Sequence, residues 1–291
     1  MNSETPQHAQ RTVSASQTPA KVARLRLDRG NRVEESGPES ARESQSWREL
    51  RALPRDADTM RRHRLFVDNS DDDITRRFDL LRTLLSDTIE EHGITRLGVT
   101  APTAGSGTSF VAANLALAMA RRPSARVLLA DMNLRRPALA RMFGATAPTP
   151  VADLLTGQNA ADQHLRLFGS NLALLLNSQT VGSSAEMLHD PAAAEALREM
   201  RQRFDATLEI YDLPPVLGRD DVLSFLPQLD GVLMVVDGTR NTAAQLRAAE
   251  ELLTGRTRLV AVVLNRGEIR RSLYEIIQSI RSRFQRGRNK E

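Results

Sequence analysis

Six short runs that are apolar from end to end, separated by longer amphipathic stretches, constrain this chain more than any other feature. The runs are LGVTA (97–101), RVLLA (126–130), LALLL (172–176), ATLEIYD (206–212), GVLMVVD (231–237) and LVAVVLN (259–265). A strand with one face in water alternates apolar and polar residues, whereas a run apolar on both faces has to be covered on both. Helical spacing fills most of the gaps, at 109–121, 136–143, 191–203, 242–254 and 270–284. Strands and helices in alternation specify a doubly wound, mostly parallel α/β sheet. One domain over residues 65–285 of the 291-residue chain is expected, with ample length for a core.

The flanks read differently. Residues 1–64 are rich in Ser, Glu, Gln, Pro and Arg, with scattered apolars and no period, and are expected as a disordered N-terminal tail. Within it, Trp47 to Leu53 holds the chain's one Trp and is a candidate docking segment; a solvated tail is the plainer alternative. Asp71 to Asp73 read as a helix start before an amphipathic run over 74–89, in which Ile74, Phe78, Leu81, Leu84 and Leu85 keep helical spacing. Residues 286–291 form a basic C-terminal tail, read as a solvated end or as a contact for anionic lipid or nucleic acid.

Composition narrows the chemistry. There is no cysteine, which excludes disulfides, zinc–thiolate sites, iron–sulfur clusters and thiol catalysis. The five histidines, His8, His63, His92, His164 and His189, show no ligand spacing. No apolar run reaches 18 residues and no apolar leader opens the chain, so a cytoplasmic protein is expected. Of forty basic residues only Lys21 and Lys290 are lysine, both in the flanks, so the fold itself contains none.

That absence matters at Pro102-Thr103-Ala104-Gly105-Ser106-Gly107-Thr108-Ser109, which joins the first strand to a helix. A glycine-rich turn at a helix N-terminus lets backbone N–H groups converge on phosphate oxygens. Ser109 stands where a hydroxyl would ligate Mg²⁺, but a nucleotide-binding loop ends Gly-Lys-Ser/Thr, and Thr108 holds the lysine position. Asp131 and Asp212 close the second and fourth strands. A parallel sheet brings both to its C-terminal edge beside the loop, where such folds bind ligands. A carboxylate there holds Mg²⁺ or its waters; capping the next helix is the alternative role.

Three segments in this order, APTAGSGTSF, LLADMNLRRP and FDATLEIYDLPPVL, resemble the bacterial tyrosine kinases of capsule and exopolysaccharide synthesis, the CpsD/CapB type. That family reads roughly S-P-x-P-G-E-G-K-S-T, L-L-I-D-A-D-L-R-R-P and Y-D-x-V-I-I-D-T-P-P-V-L. SAEML at 184–188, LDGVLMVV at 229–236 and VVLN at 262–265 resemble further family segments, over about residues 74–270 in all. The resemblance implies the deviant P-loop NTPase fold, SIMIBI-like, shared with partition and Min-type ATPases. It implies ATP or ADP with Mg as cofactor, with Gly105, Ser106, Gly107, Thr108, Ser109 and Asn265 binding nucleotide. Asp131 and Asp212 would be catalytic, and Ser109, Asp131 and Asp212 would hold the metal. Thr103, where the partition branch carries a second lysine, and the D-x-P-P signature favour the kinase branch.

The departures cluster at the site. Thr108 replaces the loop lysine, Asn133 the second Asp of D-x-D, and Phe110 a Thr. Arg135 or Arg136 could in principle reach in, although an arginine fork does not reproduce a compact ammonium. The family's E-x-x-R-x-x-R oligomer contact reads Arg76, Asp79, Arg82, which puts ring-like self-assembly in question; ordinary surface charges are the plainer reading and a partner with the complementary pattern is the alternative. The family's C-terminal tyrosine cluster is missing; Tyr211 and Tyr274 are the only tyrosines. Losing one preorganised charge on a transferring phosphate costs on the order of 3 kcal/mol. A degenerate, pseudokinase-like regulator is therefore expected, peripheral to the inner face of the plasma membrane through a membrane polysaccharide co-polymerase or export protein. A homo-oligomer is a second partner class, and nucleic acid is not expected. Two alternatives stay open: an active ATP-dependent protein-tyrosine autokinase, and a partition-type ATPase switch.

Overall fold

The computed structural model describes residues 45–66 and 73–266. Two helices, α1 (Ala57–Arg62) and α2 (Asp73–His92), lead into the sheet. There follow β1 (Arg96–Thr100), α3 (Thr108–Met119), β2 (Val127–Asp131), α4 (Leu139–Met142), α5 (Val151–Leu155) and α6 (Ala161–His164). Next come β3 (Leu165–Phe168), β4 (Leu172–Leu175), α7 (Ser184–His189), α8 (Pro191–Phe204), β5 (Leu208–Asp212) and α9 (Asp221–Phe225). The chain continues with β6 (Gly231–Asp237), α10 (Ala243–Leu253) and β7 (Leu259–Asn265). The expected helix over 270–284, Tyr274, the basic tail, Asp71, Asp72 and residues 1–44 lie outside the described residues.

The seven strands run in the order β3-β4-β2-β5-β1-β6-β7, all parallel except β3. Each of the six apolar runs is a strand. Successive side chains alternate faces, so β2 sends Leu128 and Ala130 into one buried cluster and Val127 and Leu129 into the other. Helices α5, α8 and α10 cover the first cluster; α2 and α3 cover the second. The helix after the glycine-rich loop, TSFVAANLALAM, is buried from Val111 to Met119. Its alanines let it lie close on the sheet, which fixes the loop at its N-terminus.

The antiparallel β3 was not among the expected strands. It is short, and it folds back onto β4 through a tight turn at Gly169, whose φ of 68° suits glycine. A glycine between two apolar runs was the available signal.

The segment expected as the end of a disordered tail is packed where it is described. Trp47 and Leu50 join the cluster that includes Leu165 and Ala173, and the Trp47 indole donates to the Ser170 carbonyl at 3.3 Å. Ala52 forms a parallel bridge to Leu167, with Leu53 N–H on the Leu167 carbonyl at 2.7 Å and Leu167 N–H on the Arg51 carbonyl at 2.9 Å. Met60 and Leu65 then join the cluster on the opposite face. The segment thus wraps the exposed edge of β3 and removes an unpaired strand edge. It has no period because it crosses from one face of the sheet to the other.

On α2, Asp79 pairs with Arg121 at 2.8 Å and Arg82 at 3.3 Å, and Arg82 also donates to the Ala118 carbonyl at 3.3 Å. These two of the three charges at the expected oligomer contact are used within the chain, at the end of α3.

Trp47 is the only tryptophan and is 4% exposed. Its native fluorescence is expected to be blue-shifted and shielded from iodide, and Trp47→Ala is expected to lower stability by about 3 kcal/mol in urea unfolding. A solvent-like emission from the folded protein would contradict the docking.

Candidate functional site

The strand order gathers the ends of β1, β2, β5, β6 and β7 at one edge, and the nucleotide and metal candidates Gly105, Ser106, Gly107, Thr108, Ser109, Asp131, Asp212 and Asn265 lie there. Gly105 (φ 82°) and Gly107 (φ 90°) hold the loop in the left-handed region. A Cβ on Gly107 would stand 2.1 Å from the Asn265 amide nitrogen, and one on Gly105 would stand 2.6 Å from an Arg240 guanidinium nitrogen. Asn265 at the end of β7 and Arg240 in the turn after β6 therefore lie directly on the loop, and the positive φ at both positions favours glycine.

These contacts are specific. Asn265 Nδ2 donates to the Ser106 carbonyl at 2.8 Å. Arg266 donates to the Gly105 carbonyl at 3.0 Å and pairs with buried Asp237 at 3.2 Å. Ser106 Oγ donates to the Thr103 carbonyl at 2.9 Å and to Asn241 Oδ1 at 3.3 Å, while Asn241 Nδ2 donates to Thr103 Oγ1 at 2.7 Å. Thr103 therefore belongs to a latch that fixes the loop. Asn265, which the resemblance gives to nucleotide binding, donates from its amide nitrogen to that latch.

Asp131 and Asp212 sit side by side as register partners on β2 and β5, both fully buried. Asp131 Oδ2 accepts from the Ala138 and Leu139 N–H groups at 2.9 and 3.0 Å, so it does cap α4. Asp131 Oδ1 and both oxygens of Asp212 receive no hydrogen bond of good geometry. Buried carboxylate oxygens without partners are costly, and native proteins keep them where a ligand or ion completes them. Burial pushes the Asp131 carboxyl up to about 7, against backbone N–H groups that lower it. Burial, and then the neighbouring Asp131, raise Asp212 well above the usual range, opposed by the Ser109 hydroxyl beside it. Two carboxylates and a hydroxyl form a hard oxygen donor set that fits Mg²⁺.

The loop forms one side of a cavity of about 630 Å³, which Asn133, Pro214 and several arginines also line. Arg135 is not available to it, because it bonds both oxygens of buried Asp221 at 3.1 Å and the Gly182 carbonyl at 2.5 Å. Arg136 has no such partner among the described residues. Thr108 lies at the first turn of α3 and also lines the cavity. Phe110 packs edge-to-face on Phe78 of α2, with ring centroids 5.7 Å apart, so its substitution became a helix contact. Tyr211 is buried, its hydroxyl bonded to Glu209.

Asp237, Asn241 and Arg266 were not anticipated. Asp237 ends an apolar strand just as Asp131 and Asp212 do, so a signal existed. Asn241 and Arg266 carried none, since the loop they hold is more than a hundred residues away in sequence.

No protein-family model matches the chain. The chain is similar to the putative tyrosine-protein kinase EpsB of Ralstonia nicotianae (strain ATCC BAA-1114 / GMI1000), 32% identical over 168 residues, covering 57% of this chain and 22% of the relative. The succinoglycan biosynthesis transport protein ExoP of Rhizobium meliloti (strain 1021) is 29% identical over 171 residues, covering 56% and 21%. The chain thus spans about a fifth of the length of these relatives. The kinase domain of the Escherichia coli tyrosine kinase ETK superposes with a TM-score of 0.63 at 25% identity, covering 70% of this chain and 80% of that one. The homologues of this chain are bacterial tyrosine-protein kinases, and its fold is theirs.

The carboxylate pair fixes a sign for the pH dependence. Raised carboxyls bind more protons in the folded than in the unfolded state between about pH 4 and 7, so their effect is to lower stability as pH rises through that window. Asp212→Asn is expected to stabilise the metal-free protein at pH 8 by ~1–4 kcal/mol, with the gain shrinking below pH 5. Urea unfolding at both pH values checks this; an equal effect at the two would contradict it.

Proposed function

We propose that this chain is a kinase-like regulator of exopolysaccharide synthesis that works by binding and does not phosphorylate tyrosine. The observation that carries this reading is the loop itself. It keeps the phosphate-cradling turn, the Ser109 hydroxyl and two unsatisfied carboxylates, while Thr108 stands in the lysine position of a fold that has no lysine. Nucleotide binding and phosphoryl transfer make different demands. Loop amides, a helix N-terminus and a metal suffice to hold a phosphate chain. Transfer also needs a cation matched to the charge that develops on the moving phosphoryl group.

Ser109, Asp131 and Asp212 would hold Mg²⁺, which when bound would neutralise phosphate charge and relieve the repulsion between the two carboxylates. Gly105 and Gly107 orient the loop backbone, and Asn241, Asn265 and Arg266 keep it in that shape. Above about pH 7 the Asp131 carboxyl releases its proton, which favours a metal at that edge. Tyr211 is buried with its hydroxyl bonded to Glu209, so it is not open to modification. In this reading the protein sits at the inner face of the plasma membrane through a membrane polysaccharide co-polymerase or export protein, and Mg-nucleotide occupancy adjusts that contact. Among the described residues no helix is long and apolar enough to cross a membrane.

Calorimetric titration tests this with Mg-ATP and Mg-ADP. Weak binding is expected, strengthened tenfold or more by Thr108→Lys and lost in Asp131→Ala, with no tyrosine phosphorylation in a radiolabel assay. Turnover by the natural protein would restore the active autokinase. No nucleotide binding by either the natural chain or Thr108→Lys would leave a scaffold without a nucleotide switch.

A further inference from the structure

Three arginines that line the phosphate-loop cavity have no carboxylate partner among the described residues. Arg136 follows β2, Arg141 lies on α4, and Arg219 lies on the loop after β5. All three are exposed. The other two lining arginines are neutralised: Arg135 by Asp221 and Arg266 by Asp237. Arg77, Arg122, Arg126, Arg198 and Arg203 pair with acidic neighbours on the surface; what sets Arg136, Arg141 and Arg219 apart is that they line the loop cavity together with no such pair among the described residues. Three unpaired guanidinium groups from two chain segments, turned to one concave site with the loop amides, concentrate positive potential there.

We infer that Arg136, Arg141 and Arg219 form a metal-independent site for a phosphate chain, supplying from the cavity wall the cationic charge that Thr108 does not supply from the loop. The inference rests on the phosphate-cradle reading of the loop, but not on the metal or on nucleotide specificity. Guanidinium groups suit this task because each presents several donors in a plane that matches phosphate oxygens. A cavity of about 630 Å³ is in the range that takes a nucleotide-sized ligand. Arginines on a wall hold phosphate without placing charge at the transferring group, which agrees with binding uncoupled from transfer. The ligand is the phosphate chain of a nucleoside triphosphate or a free oligophosphate, and the experiment separates these sources.

The test is calorimetric titration of the full chain with inorganic tripolyphosphate and with ATP, both in EDTA, at low and moderate KCl. Both ligands are expected to bind, more weakly as salt rises. The variant R136Q/R141Q/R219Q is expected to lose roughly tenfold or more in affinity with its thermal transition unchanged, because none of the three side chains is paired. The charge-matched control R198Q/R247Q/R256Q is expected to bind as the natural protein does. Tighter ATP than tripolyphosphate would assign the site to a nucleotide; equal affinities would assign it to the phosphate chain alone; both outcomes support the site. No metal-free binding, undiminished binding by the triple variant, or binding of an acidic phosphotyrosine peptide in place of tripolyphosphate would overturn it. If Mg²⁺ adds nothing to ATP affinity while metal-free binding persists, the carboxylate reading fails and this one stands. If Mg-ATP binds but the triple variant matches the natural protein, the reverse holds.

Discussion

A parallel sheet covered on both faces sends all of its parallel strand ends the same way, and that constraint governs this molecule. Strands β1, β2, β5 and β6 are buried along almost their whole length, so helices are packed on either side of them. Polar groups that terminate such strands have one place to go. Asp131, Asp212 and Asp237 therefore meet the glycine-rich loop at one edge, although they are spread over more than a hundred residues of chain. The antiparallel β3 and the wrapping segment near Trp47 close the far side of the sheet without disturbing that edge.

The edge carries an electrostatic conflict that the fold does not resolve by itself. Asp237 is matched by Thr239 and Arg266, and its carboxyl lies below the usual range despite its own desolvation. Asp131 and Asp212 are not matched; they face each other in an apolar environment with three oxygens unsatisfied. Selection for stability alone would remove one of them, since a neutral amide is cheaper to bury than a carboxylate. Their presence together with a fixed phosphate loop is what an ion-binding edge requires.

Positive charge at this edge is distributed differently from the negative. A lysine in the loop would place a compact ammonium against the phosphates. Here the loop is held by Arg266, whose charge is largely spent on Asp237, while Arg136, Arg141 and Arg219 stand on the surrounding wall. Guanidinium groups set back from the loop neutralise a bound anion over a broad area and do not follow charge as it moves. In the proposed reading, the substitution at Thr108 would weaken phosphoryl transfer and leave anion recognition in place, which is how binding would be separated from catalysis.

The sequence alone determined the sheet, its helices and the edge where chemistry would gather, because unbroken apolar runs and 3.6-residue periods record burial directly. It also located Asp131 and Asp212, which end strands that the alternation marks, and Gly105, Gly107 and Ser109, which lie in the glycine-rich passage from the first strand to its helix. It did not reveal β3, the docking of Trp47, or the latch of Asn241, Asn265 and Arg266 on the loop. Those depend on contacts between residues far apart in the chain, and no local pattern encodes them. Nor could it separate Arg135 from Arg136, adjacent and chemically identical: buried Asp221 claims one, and the other is left facing the cavity. Only the tertiary structure decides which charges are already neutralised, because that depends on what each side chain meets in space.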